Sequence, residues 1–381
     1  MDKTDQMRNT AHRITGLRVK SARVAKGWTQ ERLASGMGLN DRQTVSDIEK
    51  GKRALKTQEL AMLPSLLGRD TDFFLDPFSV AGEAQYSWRA APDLPESVLH
   101  EFEIRAGQWI GLLRWMQGQQ GHRRSAIKRC LHLSHQSSFE DAQDCAESLV
   151  SELGFGTIPA DCLRSKIEQE LDIPVLFFDA ADIADGQSIS GAACHLEEMS
   201  VILINRNEHV TRQTFNLAHE LFHAMTWDVM KPEHRMPNSR ENRRKGKRIE
   251  QMADNFAAAL AMPRASLDTL IPREKLADIP HLCLVAKVLL VSPAALGWRL
   301  FNLRLIDEES RRSLSQRRAP RQDPGAAVGA SLFSNSYVRM LHDALENGWI
   351  SRRKAGDVTG LGFDGLTRLL AHYGYISPYQ P

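Results

Sequence analysis

The chain has 381 residues, 42% hydrophobic and 25% charged, with a formal net charge of +2. This is the profile of a water-soluble globular protein with room for two or three domains. No apolar run reaches membrane-spanning length, and Met1-Asp2-Lys3-Thr4-Asp5 does not open a signal peptide, so a cytoplasmic protein with no membrane partner is expected. The five cysteines (130, 145, 162, 194 and 283) are scattered and form no C-x-x-C pair, which excludes a disulfide scaffold and a cysteine zinc site.

Residues 14–67 have the grammar of a helix-turn-helix module. Leu17, Ala22 and Val24 belong to a first helix that ends at Gly27. Thr29 opens a capping box whose fourth position holds Arg32 in place of the usual Glu or Gln. Leu33 and Ala34 continue that short helix, and Gly36-Met37-Gly38-Leu39 is the turn. Asn40 or Asp41 caps the next helix, which runs from Arg42 to Lys50 and stops at Gly51. Its spacing turns Val45 and Ile48 inward, together with Leu39 from the turn, and Arg42, Gln43, Thr44 and Asp47 outward.

That outward face suits a major groove. Arg pairs with guanine, Gln with adenine, and a Thr methyl meets thymine. Gln30, Lys50, Lys52 and Arg53 are expected to hold phosphates. Residues 1–56 carry 13 Lys and Arg against 6 Asp and Glu, a net of +7, so the rest of the chain carries −5. A segregated basic end is the electrostatic footprint of DNA binding. A helical protein-interaction module with a solvated basic face is the alternative. The stretch resembles the Cro/C1-type (XRE) repressor domain in Thr29-Gln30-x-x-Leu33-Ala34 and in Val45-Ser46-Asp47-Ile48-Glu49-Lys50-Gly51-Lys52-Arg53. The resemblance implies a double-stranded DNA operator and a homodimer, with Glu49 structural and paired with Arg53 or an earlier basic residue.

Residues 79–154 read as a helical connector, with Trp88, Trp109 and Trp115 recurring among Leu and Ile. Gly118 to Arg124 is a polar break, residues 141–153 an amphipathic helix, and 160–172 another, ended by Pro174. Val175-Leu176-Phe177-Phe178 reads as a buried strand. Residues 187–205 read as two strands around a polar turn. They form either a plain core hairpin or an edge that binds an extended peptide by strand addition.

The densest chemistry lies at His219-Glu220-Leu221-Phe222-His223. The surrounding Thr214 to Met225 has no Gly or Pro and is apolar at helical spacing, so the two imidazoles share one helix face. This is the H-E-x-x-H pattern of zinc hydrolases, in which both His bind the metal and the Glu polarises a water. A second helical pattern, Ile249 to Met262, ends at Pro263. Its Glu250 completes a His, His, Glu set for Zn2+. Asp254, one turn on, is placed to accept the second N–H of a ligating imidazole. His195, His209, His234 and His281 have no spacing that singles one out as a further donor. Residues 228–249, rich in Lys, Arg, Asn and Pro, read as a loop whose basic run, Arg240 to Arg248, is a solvated surface or a contact for DNA or an acidic substrate.

Across roughly residues 155 to 300, Phe215 to His223 and Glu250 to Pro263 resemble the ImmA/IrrE metallopeptidases, as do Gly191 and the strand Ser200 to Asn205 that lead in to them. The resemblance implies a gluzincin-type zinc peptidase with His219, His223 and Glu250 as ligands and Glu220 as the catalytic base. Phe222 stands where the family often has Gly, and Asp254 where many members have Asn. Stand-alone relatives cleave helix-turn-helix repressors, and fused ones are regulators. After a polar, Arg-rich linker at 309–327, residues 332–374 read as a small helical unit for packing or dimerisation.

The expected protein is multidomain and mainly α. A helix-turn-helix domain at 1–78 is followed by a helical connector at 79–154 and an α+β zincin-like domain at 155–305. A linker at 306–330 and a helical C-terminal unit at 331–381 complete it. The expected function is a DNA-binding transcriptional regulator carrying a zinc-dependent endopeptidase that cleaves a regulatory protein such as a repressor. The alternative is a repressor or antitoxin-type DNA-binding protein whose metal domain senses or scaffolds without turnover.

Overall fold

The computed structural model describes residues 3–91, 93–121, 130–180, 189–235, 242–317 and 331–376. They fall into two compact units. The first contains residues 1–84, 96–123 and 335–381, and the second contains 85–95 and 124–334.

In the first unit five helices form the amino-terminal bundle: Lys3–Ala25, Gln30–Gly36, Arg42–Glu49, Thr57–Leu67 and Thr71–Leu75. The starts are set by side-chain caps. Thr29 accepts from the Arg32 amide at 3.2 Å, and Asp41 from the Thr44 amide at 2.8 Å. Gly51 ends the third helix at φ +67°, and a Cβ there would lie 2.6 Å from the Arg13 Cα, so only glycine fits. Val19, Leu33, Val45, Leu63 and Phe74 form the core.

One buried ion pair ties the bundle together. The Arg23 guanidinium donates to both oxygens of Glu49, at 2.6 and 3.0 Å, with Gln30 donating to the same carboxylate at 2.8 Å. The partner of Glu49 is thus the earlier of the two basic candidates. Arg53 instead makes a two-pronged pair with Glu59, at 2.8 and 2.7 Å.

A second buried network joins this bundle to the long helix Glu96–Gln119. Arg18 donates to Glu83 at 2.9 Å, and Arg114 donates to the other oxygen of Glu83 at 2.6 Å. The carboxy-terminal helices Asn335–Glu346, Arg352–Thr359 and Gly362–His372 lie in the same unit, where the Trp109 indole donates to the Thr359 carbonyl at 3.3 Å.

The second unit is built on a four-stranded sheet of order β1-β3-β4-β2. The strands are β1, Gln85–Ala90; β2, Val175–Phe178; β3, Ile189–Leu196; and β4, Met199–Asn205. β1–β3 and β3–β4 are antiparallel, and β2–β4 is parallel. The helix Val210–Thr226 packs on β3 and β4, and the helix Asn242–Ala261 packs on it and on Phe139–Leu153. Ile167, Val175, Ile204, Leu221, Phe222, Met252 and Phe256 fill the core between them. Phe222 is fully buried against Phe256, so it belongs to the core.

Three segments differ from the sequence reading. Residues 85–90, read as part of a helical connector, form β1. Tyr86 and Trp88 alternate with Ser87 and Arg89, a period of two over too short a run to outweigh the long helical pattern after it. β1 also covers β3, so the hairpin offers no free edge on that side for strand addition. The helix bearing Glu250 begins at Asn242, inside the segment read as a loop. The helix Glu308–Gln316, capped by Asp307, occupies the start of the segment read as a linker, while 318–330 lie outside the described residues.

Replacing Glu49 by Ala leaves the Arg23 guanidinium buried and uncompensated, at an expected cost of about 3 to 5 kcal/mol. Hydrogen exchange read across Lys3–Ala25 and Arg42–Glu49 should lose protection selectively. Unchanged protection there would mean that the pair does not hold the bundle.

Candidate metal centre and nucleic-acid interface

The metal site is made by two neighbouring helices. His219 and His223 lie one turn apart on Val210–Thr226, and Glu250 faces them from Asn242–Ala261. Both imidazoles are 1 to 2% exposed. The His219 and His223 Nε2 atoms are 3.1 Å apart. Glu250 Oε2 lies 3.2 Å from the first and Oε1 3.4 Å from the second.

Those separations come close to those of a metal ligand set, two of the three being slightly shorter. Ligands about 2.0 to 2.2 Å from a tetrahedral ion stand about 3.3 to 3.6 Å from one another. Two imidazole nitrogens and a carboxylate fit such an ion in chemistry as well as distance. His219, His223 and Glu250 are therefore a group able to hold a metal.

The surroundings orient the ligands. His219 Nδ1 is 2.9 Å from Asp254 Oδ1, which fixes the ring and leaves Nε2 for the metal. Burial opposes charge on His219, but the bonds to Asp254 and Glu250 outweigh it and raise the metal-free imidazole to about 9. Burial also pushes Glu250 upward, but the two imidazoles hold it well below the usual carboxylate range.

Glu220 is different. It is 1% exposed, its Oε2 has no hydrogen-bond partner, and burial raises its pKa. Glu220 lines the same cleft as the three ligands, with Ser87 to Ala90 of β1, Pro232 and Glu233 on other walls. The sequence reading placed none of the β1 residues here. Their period-two alternation was the available signal.

The four histidines whose spacing left their role open lie in other settings. His195 stacks on Trp227, with ring centroids 5.2 Å apart, and burial lowers its pKa. His209 caps the helix Val210–Thr226, the His234 carbonyl accepts from the Trp88 amide at 2.9 Å, and His281 approaches the Leu270 carbonyl at 3.1 Å. In the basic run, Arg248 donates to the carbonyls of His135 and Ser137.

On the helix Arg42–Glu49, Arg42 and Gln43 are exposed, Thr44 and Asp47 are half-buried, and Val45 and Ile48 are in the core. Gln43 donates to Asp47 at 2.9 Å, which holds two outward side chains together. Lys50 and Lys52 are exposed beyond the helix end. Gln30 and Arg53, expected to hold phosphates, are bonded to Glu49 and Glu59.

Comparison with known families agrees with this division. Residues 168–301 match the peptidase family described as the IrrE N-terminal-like domain, and residues 19–74 match the helix-turn-helix family. The chain carries an IrrE N-terminal-like metallopeptidase domain and an XRE-type DNA-binding domain. Among curated proteins and solved structures nothing matches. No single helix among the described residues is long and apolar enough to cross a membrane.

Metal uptake should depend steeply on pH. The metal needs a neutral imidazole, whereas His219 without metal keeps its proton up to about 9. Binding at neutral pH should therefore release a proton, and affinity should rise with pH until that value is passed. Chelator competition across this range tests the sign, and a flat profile would contradict the coupling. Asp254→Ala should weaken metal binding about 10- to 100-fold in the same assay.

Proposed function

We propose that this chain, which joins an IrrE-like metallopeptidase domain to an XRE-type DNA-binding domain, is a transcription regulator with a zinc-dependent endopeptidase that cleaves a regulatory protein. The observation that carries the peptidase reading is the unpartnered, buried Oε2 of Glu220, a residue that lines one cleft with His219, His223 and Glu250. A buried carboxylate oxygen without a donor is costly, and a purely structural metal site does not need one.

Zn2+ suits two imidazoles and a carboxylate, and when bound it supplies Lewis acidity and lowers the pKa of water at its open position. Glu220 is the general base. It removes a proton from the attacking water and later returns it to the leaving amine. Burial raises its pKa above the ordinary carboxylate value, which makes it a stronger base than an exposed carboxylate. Asp254 keeps the His219 ring aligned throughout.

In the DNA-binding domain, Arg42, Gln43, Thr44 and Asp47 form the base-reading face, with Lys50 and Lys52 on phosphates. Gln30 and Arg53 support that face through Glu49 and Glu59. A dimer on a two-fold operator is the arrangement such domains use. A protein substrate of the helix-turn-helix repressor type would make cleavage a switch for the same promoter.

Glu220→Gln should lower peptide cleavage about 100- to 10,000-fold while metal stays at near one per chain. The assay is mass-spectrometric mapping of products from co-encoded regulators, and equal turnover in the variant would remove Glu220 from the mechanism. Promoter binding should weaken with salt and with Gln43→Ala, the latter by about 1 to 3 kcal/mol. An unchanged footprint in that variant would reject the assigned reading helix.

A further inference from the structure

β1 brings a cation to the metal cleft. Arg89 stands opposite Gly191 in the β1–β3 ladder. A Cβ on Gly191 would lie 3.6 Å from the Glu220 Cγ, so this face of β3 looks at Glu220. Directly opposed residues in an antiparallel pair share a face, which puts the Arg89 side chain on the Glu220 side. The guanidinium lies 5.7 Å from the centre of the Phe215 ring, and Nη1 lies 3.7 Å from Asp254 Oδ1.

That distance keeps the charges associated but is too long for a hydrogen bond. Arg89 Nη1 is buried and has no hydrogen-bond partner. Three residues that line the cleft thus carry a buried polar atom without a hydrogen bond: Arg89 at Nη1, Glu220 at Oε2 and His223 at Nδ1. β1 is fixed on both sides, along β3 by the ladder and on the other side by the Trp88 amide on the His234 carbonyl at 2.9 Å. Arg235 secures the next turn by donating to the carbonyls of Leu94 and Ala91. The donor is preorganised and does not sit on a mobile loop.

We propose that Arg89 is a substrate-binding residue whose free Nη1–H donates to a main-chain carbonyl oxygen of the peptide beside the scissile bond. The inference rests on the peptidase reading and adds a contact to it. Asp254 and Arg89 lie on the Nδ1 side of His219, while the ligand atoms gather on the Nε2 side. The donor is thus displaced from the carbonyl under attack and meets a neighbouring one. Glu220, Glu233 and Glu250 also line the cleft, so a neutral carbonyl suits it better than a substrate carboxylate.

The test compares two hydroxamates on the metal-loaded full chain by calorimetry. Acetohydroxamate only chelates the metal, whereas a hydroxamate extended by leucyl-alaninamide adds flanking carbonyls. Arg89→Met should weaken the extended probe about 10- to 100-fold and leave acetohydroxamate and metal content unchanged. Arg89→Lys should lose less, and added guanidinium should restore part of the loss in Arg89→Met. Equal loss of both probes, or loss of metal, would overturn the proposal and make Arg89 a prop for Asp254. No loss of either probe would remove Arg89 from the site. Because the probes report binding, a chain that cleaves nothing yet discriminates between them would sink the peptidase reading separately.

Discussion

The structure of the second unit depends on keeping two buried imidazoles and a partly exposed carboxylate together. The His219 and His223 Nε2 atoms stand 3.1 Å apart, with one Glu250 oxygen 3.2 Å from the first and the other oxygen 3.4 Å from the second. Burying such groups is unfavourable unless each is bonded or shares an ion. The surrounding architecture resolves this by rigidity. Both helices are anchored by large apolar side chains, with Phe222 against Phe256 directly behind the ligands. Asp254 then holds His219 from outside, so the ligands cannot drift apart to find water.

The same logic of buried polar groups with fixed partners governs the DNA-binding unit. Arg23 on the first helix pairs with Glu49 at the end of the third, and Gln30 at the start of the second closes the network. Arg18, Glu83 and Arg114 repeat the device where the bundle meets the long helix. Such networks are directional, which makes them better at setting helix angles than apolar packing alone. The angle between a supporting helix and a reading helix decides which side chains can enter a groove.

β1 connects these two halves in the covalent sense. Residues 85–95 belong to the second unit, while the chain on either side, through 84 and from 96, belongs to the first. Ser87 to Ala90, which line the metal cleft, lie in that segment.

What the sequence determined by itself was local. The pairing of His219 with His223 follows from helical periodicity, and the caps at Thr29 and Asp41 follow from backbone amides that only nearby side chains can reach. Glu250 was readable because its helix has its own strong period and a proline stop. The tertiary structure alone decided what came from far along the chain. It placed β1 beside β3, some hundred residues away, gave Glu49 to Arg23 and Arg53 to Glu59, and set Arg89 beside Asp254. A six-residue strand has no stable form by itself, and a charged side chain has several partners within reach of composition. Only the closed sheet and the packed helices choose among them, because hydrogen bonds across the fold carry no trace in the spacing of residues along it.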